Sequence, residues 1–141
     1  MKRFNFSLQK VLDFREFEKK QAEAELGKAV AEETKIQDTL NLIAEEHAST
    51  VRLADSTKDL SGMLANQNYF SLLNQQKEQA LMNLAQAKVI TEEKREIMRD
   101  AMKNVKVLEN LKEKRKSDWK KETLRAEENE VDDIVTSKFG S

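Results

Sequence analysis

The fold turns on Asp55-Ser56-Thr57-Lys58-Asp59-Leu60-Ser61-Gly62-Met63, the one stretch of this 141-residue chain where Ser, Asp and Gly cluster. Such residues punctuate regular structure, because short polar side chains bond to nearby backbone and Gly tolerates tight turns. Ser56 with Asp59, or Ser61 alone, offers a helix N-cap, and Gly62 is the glycine placed to permit a reversal. The opposite reading is one continuous helix, in which Gly62 would cost only about 1 kcal/mol. Reversal is favoured. A lone helix on the order of a hundred residues cannot bury its own apolar seam, whereas a hairpin can.

Both flanks carry a helical rhythm. Before the break, apolar or small residues recur at Phe4, Leu8, Val11, Ala22, Leu26, Ala29, Ile36, Leu40, Ile43 and Val51, with Arg15, Glu18, Glu33 and His47 at polar stripe positions. After it come Tyr69, Leu73, Gln76, Ala80, Leu84, Ala87, Ile90, Ile97, Ala101, Val105, Leu108, Leu111, Trp119 and Ala126. A stripe this narrow, with a period near 3.5, marks a coiled-coil seam and rejects strands. The expectation is an all-α, antiparallel two-helix coiled-coil hairpin forming one domain, with a helix over 4–55, a turn at 56–65, a helix over 66–135 and a frayed tail at 136–141. Folding back near Gly62 sets Phe4 near Trp119, Val11 near Leu111, Ile36 near Ala87, and Ile43 near Gln79 or Ala80. The first arm would be about 70 Å long, and the second would overhang it beyond Trp119.

Composition agrees. There is no proline and there are only three glycines, too few for the turns of a sheet-based domain. Charged residues reach 36 %, against roughly 25 % in ordinary globular domains, as long solvated helices require. Without cysteine there is no disulfide scaffold, thiol catalysis or Cys-ligated zinc. No apolar run approaches the roughly 18 residues of a membrane span, and Met1-Lys2-Arg3 leads into no signal-peptide core, so a soluble intracellular chain is expected.

Catalytic chemistry has little to work with. His47 is the sole histidine, no His/Glu spacing suits a metal, and the glycines are too scattered for a phosphate loop. No enzyme activity, metal or cofactor is expected. The net charge of −1 hides a sorted distribution. Residues 103–121 hold eight bases against three acids, and residues 122–135 hold six acids against Arg125 alone. A solvated face is the plain reading of such runs; an orienting device for a partner is the sharper one. Glu109, Glu113 and Asp118 interrupt the basic face, which argues against nucleic acid. Phe14 and Phe17 lie off the main seam, either closing the coil with the other aromatics or exposed for a partner.

The run Lys2-Arg3-Phe4-Asn5-Phe6-Ser7-Leu8-Gln9-Lys10-Val11-Leu12-Asp13-Phe14-Arg15 resembles the opening of the FliJ family of flagellar export proteins, Phe-x-Phe-x-Leu-x-x-Val-Leu-x-x-Arg. Val107-Leu108-Glu109-Asn110-Leu111-Lys112-Glu113-Lys114-Arg115 is similar to that family's Leu-Glu-x-Leu-x-x-Lys-Arg stretch. Glu130-Val131-Asp132-Asp133-Ile134 is similar to its closing acidic segment, with Val131 and Asp133 as departures. The resemblance implies a non-enzymatic stalk and adaptor of the type III flagellar export apparatus. It would associate with the export ATPase hexamer (FliI), the cytoplasmic domain of the export-gate protein FlhA, and export chaperones. The implied location is cytoplasmic, peripheral to the inner membrane at the flagellar base, without membrane insertion.

Carried onto this chain, the ATPase-ring contact is Phe4, Phe14, Phe17, Lys112, Arg115, Lys116 and Trp119, and the gate-binding stripe is Tyr69, Leu73, Gln76 and Ala80. Tyr69 and Leu73 are equally readable as seam residues near the turn, with Leu72 the alternative that would free Leu73. The alternative to the whole reading is a generic scaffold or homodimeric rod with no ATPase partner.

Overall fold

A computed structural model describes residues 3–139. Among them are two helices and no strand: α1, Gln9–Ser56, and α2, Leu60–Phe139, packed against each other as an all-α helical hairpin. The chain divides into two compact units. The turn unit is Gln21–Met98, and the terminal unit joins Met1–Lys20 to Arg99–Ser141.

Burial follows a strict seven-residue repeat. On α1 the covered or half-covered positions include Leu12, Arg15, Lys19, Ala22, Leu26, Ala29, Glu33, Ile36, Leu40, Ile43, Thr50 and Ala54. On α2 they include Leu73, Ala80, Leu84, Ala87, Thr91, Lys94, Met98, Ala101, Val105 and Leu108. Alternating steps of three and four keep one stripe facing the partner helix. Most expected seam residues sit there, but Val11, His47, Val51, Ile90, Ile97 and Ala126 are exposed, and Leu12, Thr50, Thr91 and Met98 take the seam beside Val11, Val51, Ile90 and Ile97. The two threonines are tolerated in the core because each hydroxyl bonds its own helix, Thr50 Oγ1 to the Glu46 carbonyl at 2.8 Å and Thr91 Oγ1 to the Ala87 carbonyl at 2.9 Å.

The turn is tighter than the sequence suggests: only residues 57–59 separate the helices, and α2 begins at Leu60, where position 66 is expected. Ser56 and Thr57 donate their hydroxyls to the Leu53 carbonyl at 2.9 and 2.8 Å, satisfying an acceptor that the end of α1 leaves open. Asp59 is the N-cap of α2, its carboxylate accepting from the Gly62 amide at 3.3 Å. Gly62 lies inside that first turn and adopts no positive φ. It is small for a different reason. A Cβ there would stand 2.5 Å from Thr57 Cγ2 and 2.7 Å from Asp59 Oδ1.

The other ends also differ. Helix α1 starts at Gln9, where position 4 is expected, because Phe4 and Phe6 are two residues apart. Helical residues at that spacing point roughly opposite ways, whereas a non-helical stretch can turn both toward one surface. Helix α2 runs on to Phe139, with no Pro or Gly to stop it before Gly140. Of the segments read in the sequence, Met1 and Lys2 at one end and Gly140 and Ser141 at the other lie outside the described residues.

Candidate partner-binding surfaces

In the terminal unit, residues 3–8 lie against α2. Phe6 and Leu12 are buried with Val105, and Phe4, Leu8, Leu108 and Leu111 pack around them. The Phe4 ring meets Trp119 with centroids 5.9 Å apart. Charged side chains of α2 then fasten the segment from its rim. Arg115 donates to Ser7 Oγ at 3.0 Å and stacks its guanidinium 5.7 Å from the centre of the Phe6 ring, within cation–π range. Lys112 Nζ donates to Gln9 Oε1 at 2.7 Å.

This arrangement divides the seven residues of the expected ring contact. Phe4, Lys112, Arg115 and Trp119 are spent on holding the N-terminal segment in place. Phe14 (57 % exposed), Phe17 (55 %) and Lys116 stay on the surface. Phe14 and Phe17, three residues apart, share one exposed side of α1.

In the turn unit, the four residues of the expected gate stripe also divide. Leu73 and Ala80 are buried with Ile43, and Leu40 packs against them. Tyr69 and Gln76 are exposed, and so is Leu72, which spacings of three and four put on their face. Tyr69 donates its hydroxyl to Glu46 Oε2 at 3.1 Å, linking α2 to α1. That hydrogen bond, followed by desolvation and by the negative charge of Glu46, raises the Tyr69 pKa above its ordinary 10.0. One residue along on each helix, the His47 and Phe70 rings lie 5.1 Å apart. Beside them is an apolar groove of about 380 Å³ lined by Leu40, Ile43, Leu73 and Leu81, with His47 and Lys77 on its edge.

The Glu46–Tyr69 and His47–Phe70 contacts are not evident from apolar periodicity alone. Counting the repeat in sevens from Ala22 to Ile43 and on to Thr50 sets the register that brings them together. Among the described residues, no group of three or more His, Asp or Glu could hold a metal ion, and no helix is long and apolar enough to cross a membrane. The family model described as Flagellar FliJ protein matches residues 4–141. Neither a curated protein nor a solved structure matches the chain.

Proposed function

The chain belongs to the FliJ family, non-catalytic components of flagellar protein export, and from that premise we propose that it acts as a stalk-like adaptor between the export ATPase and the export gate. In this reading the terminal unit meets the ATPase ring and the turn unit meets the cytoplasmic domain of FlhA, while the chain assists the cycling of export chaperones. Its place of work is the cytoplasmic face of the membrane at the flagellar base, by association and not insertion.

One observation carries the reading. The N-terminal run that marks the family is folded onto the basic part of α2, and in the same unit Phe14 and Phe17 stay exposed on α1. Exposed aromatic anchors in a unit that also carries a basic stretch suit a partner that offers apolar pockets and acids. For the gate, Tyr69, Leu72 and Gln76 supply the accessible face, and Leu73 and Ala80 support it from the core.

Pull-down of the hexameric ATPase and of the gate's cytoplasmic domain tests both contacts. Phe14→Ala with Phe17→Ala should weaken ATPase capture at unchanged melting temperature. Tyr69→Ala with Gln76→Ala should weaken gate capture likewise, whereas Leu73→Ala should lower the melting temperature first. Capture of neither protein by the unaltered chain overturns the proposal and leaves a scaffold rod.

A further inference from the structure

Within the terminal unit, α2 turns Val105, Leu108 and Trp119 toward α1 and the N-terminal segment, leaving another face uncovered. On that face Val107, Lys114, Lys121, Glu128 and Val135 recur every seven residues, all exposed, with Leu124 and Val131 interleaved at the spacing of a coiled-coil seam. An open groove lined by Asn110, Lys114, Ser117 and Lys120 runs along its first half. The charge on this helix changes sign between Lys121 and Glu122, eight bases and three acids giving way to six acids and one arginine.

We propose that this face binds a second copy of the same chain, α2 against α2 and antiparallel, with the two-fold axis near Lys121. A parallel, in-register pair would set base against base and acid against acid. The antiparallel pair sets each basic half against the partner's acidic half, and two-fold symmetry makes every such contact twice. Centred on Lys121, Val107 comes opposite the second copy's Val135, Lys114 opposite its Glu128, and Lys120 opposite its Glu122. Lys121 meets its own copy, with Glu122 of both chains beside it, and Glu109 opposite Asp133 is the other like-charge pair of this register.

The repeat has few apolar residues and the pairing is mainly ionic, so association is weak and salt-sensitive. An anionic membrane and a nucleic acid are poorer occupants, since the acidic half would repel either. The dimer covers Lys114 and Lys120, which share a groove with Lys116, the exposed base of the expected ring contact. Self-association and ring contact would then exclude each other, but the inference does not rest on the ring contact and is tested on the isolated chain.

Sedimentation velocity over a concentration series is the measurement. In about 0.05 M salt the mass should climb from 16.3 kDa toward twice that value, and about 0.5 M salt should return it to the monomer. Lys114→Glu with Lys120→Glu should abolish association, as should Glu122→Lys with Glu128→Lys, and mixing the two variants should restore it as a heterodimer. Circular dichroism checks that each remains helical. Because the chain has no cysteine, Lys121→Cys provides a clean reporter that should form an intermolecular disulfide under mild oxidation, while Leu42→Cys in the turn unit should not. A monomer at every concentration in low salt overturns the proposal, and so does a dimer indifferent to salt and to both charge reversals.

Discussion

In the terminal unit α1 and α2 meet through Phe6, Leu12 and Val105, with two more aromatics and three leucines around them. In the turn unit the covered positions include Ala22, Ala29, Ala80 and Ala87 as well as Thr50 and Thr91, with larger residues at Ile43, Leu73 and Leu84. A fully buried Leu or Phe contributes about 1.5–3 kcal/mol, a methyl group about 0.8. The terminal unit is therefore held by the area it buries and by polar bonds to residues far away in sequence. The turn unit buries mostly small side chains along its seam, which leaves less room for added atoms than a seam of large ones. One should suffer most from losing atoms, the other from gaining them.

The largest expected effect breaks the first half of that contrast. Leu12 is 3 % exposed and sits in the terminal cluster, so Leu12→Ala should cost about 2–5 kcal/mol. Thermal unfolding followed by circular dichroism measures it, and amide exchange should rise first within 9–20 and 99–119. A loss well under 1 kcal/mol would show that the terminal unit does not depend on its large side chains.

Next in size is the reverse substitution in the turn unit. Ala80 is 6 % exposed against Ile43 and Leu73, so Ala80→Leu should destabilise by about 1–3 kcal/mol through overpacking. Stabilisation instead would mean that the helices have room to spare, and the contrast between the units would fall.

Two glycines sharpen the picture further, both inside helices of the turn unit. Gly27 has nothing within 4 Å of where a Cβ would stand, so Gly27→Ala should stabilise by about 0.5–1 kcal/mol from helix propensity alone. Gly62→Ala should not, since its methyl would meet Thr57 Cγ2 and displace the Asp59 carboxylate that caps α2. Losing that cap costs about 0.5–2 kcal/mol, which cancels or exceeds the propensity gain. Paired denaturant titrations of the two variants read the difference. If Gly62→Ala stabilises as much as Gly27→Ala, the cap contributes nothing.

The sequence conveys the period of the seam more reliably than its phase. Apolar residues near every third or fourth position reveal a hairpin of two helices, and facing positions such as Phe4 with Trp119 and Ile43 with Ala80 come out close to their observed partners. The phase is missed where an apolar residue lies next to the true seam position. Val51 beside Thr50 and Ile90 beside Thr91 attract the reading by their hydrophobicity, although the seven-residue count lands on the threonines. Leu72 and Leu73 pose the same problem on the surface proposed to bind the gate, where only the register shows that Leu73 is core. The N-terminal segment is hidden for another reason: two phenylalanines at a spacing of two carry a non-helical signal that the helical rhythm around them masks. The Glu46–Tyr69 bond needs both helices in register before it can be seen at all.

That bond gives the smallest expected effect and a direct check on the register. Tyr69 is the sole tyrosine, so ultraviolet absorbance follows its ionisation without interference. Its midpoint should lie above 10.0, because the Glu46 carboxylate accepts from the neutral hydroxyl and repels the tyrosinate. A raised pKa in the folded chain means that the contact contributes fully below the unfolded value and is lost as pH climbs through the folded one. Glu46→Gln removes the negative charge and should bring the midpoint down toward its ordinary value, and unfolding the chain should do the same. If Glu46→Gln leaves the midpoint where it was, Tyr69 does not face Glu46, and the helices are in a different register in this part of the turn unit.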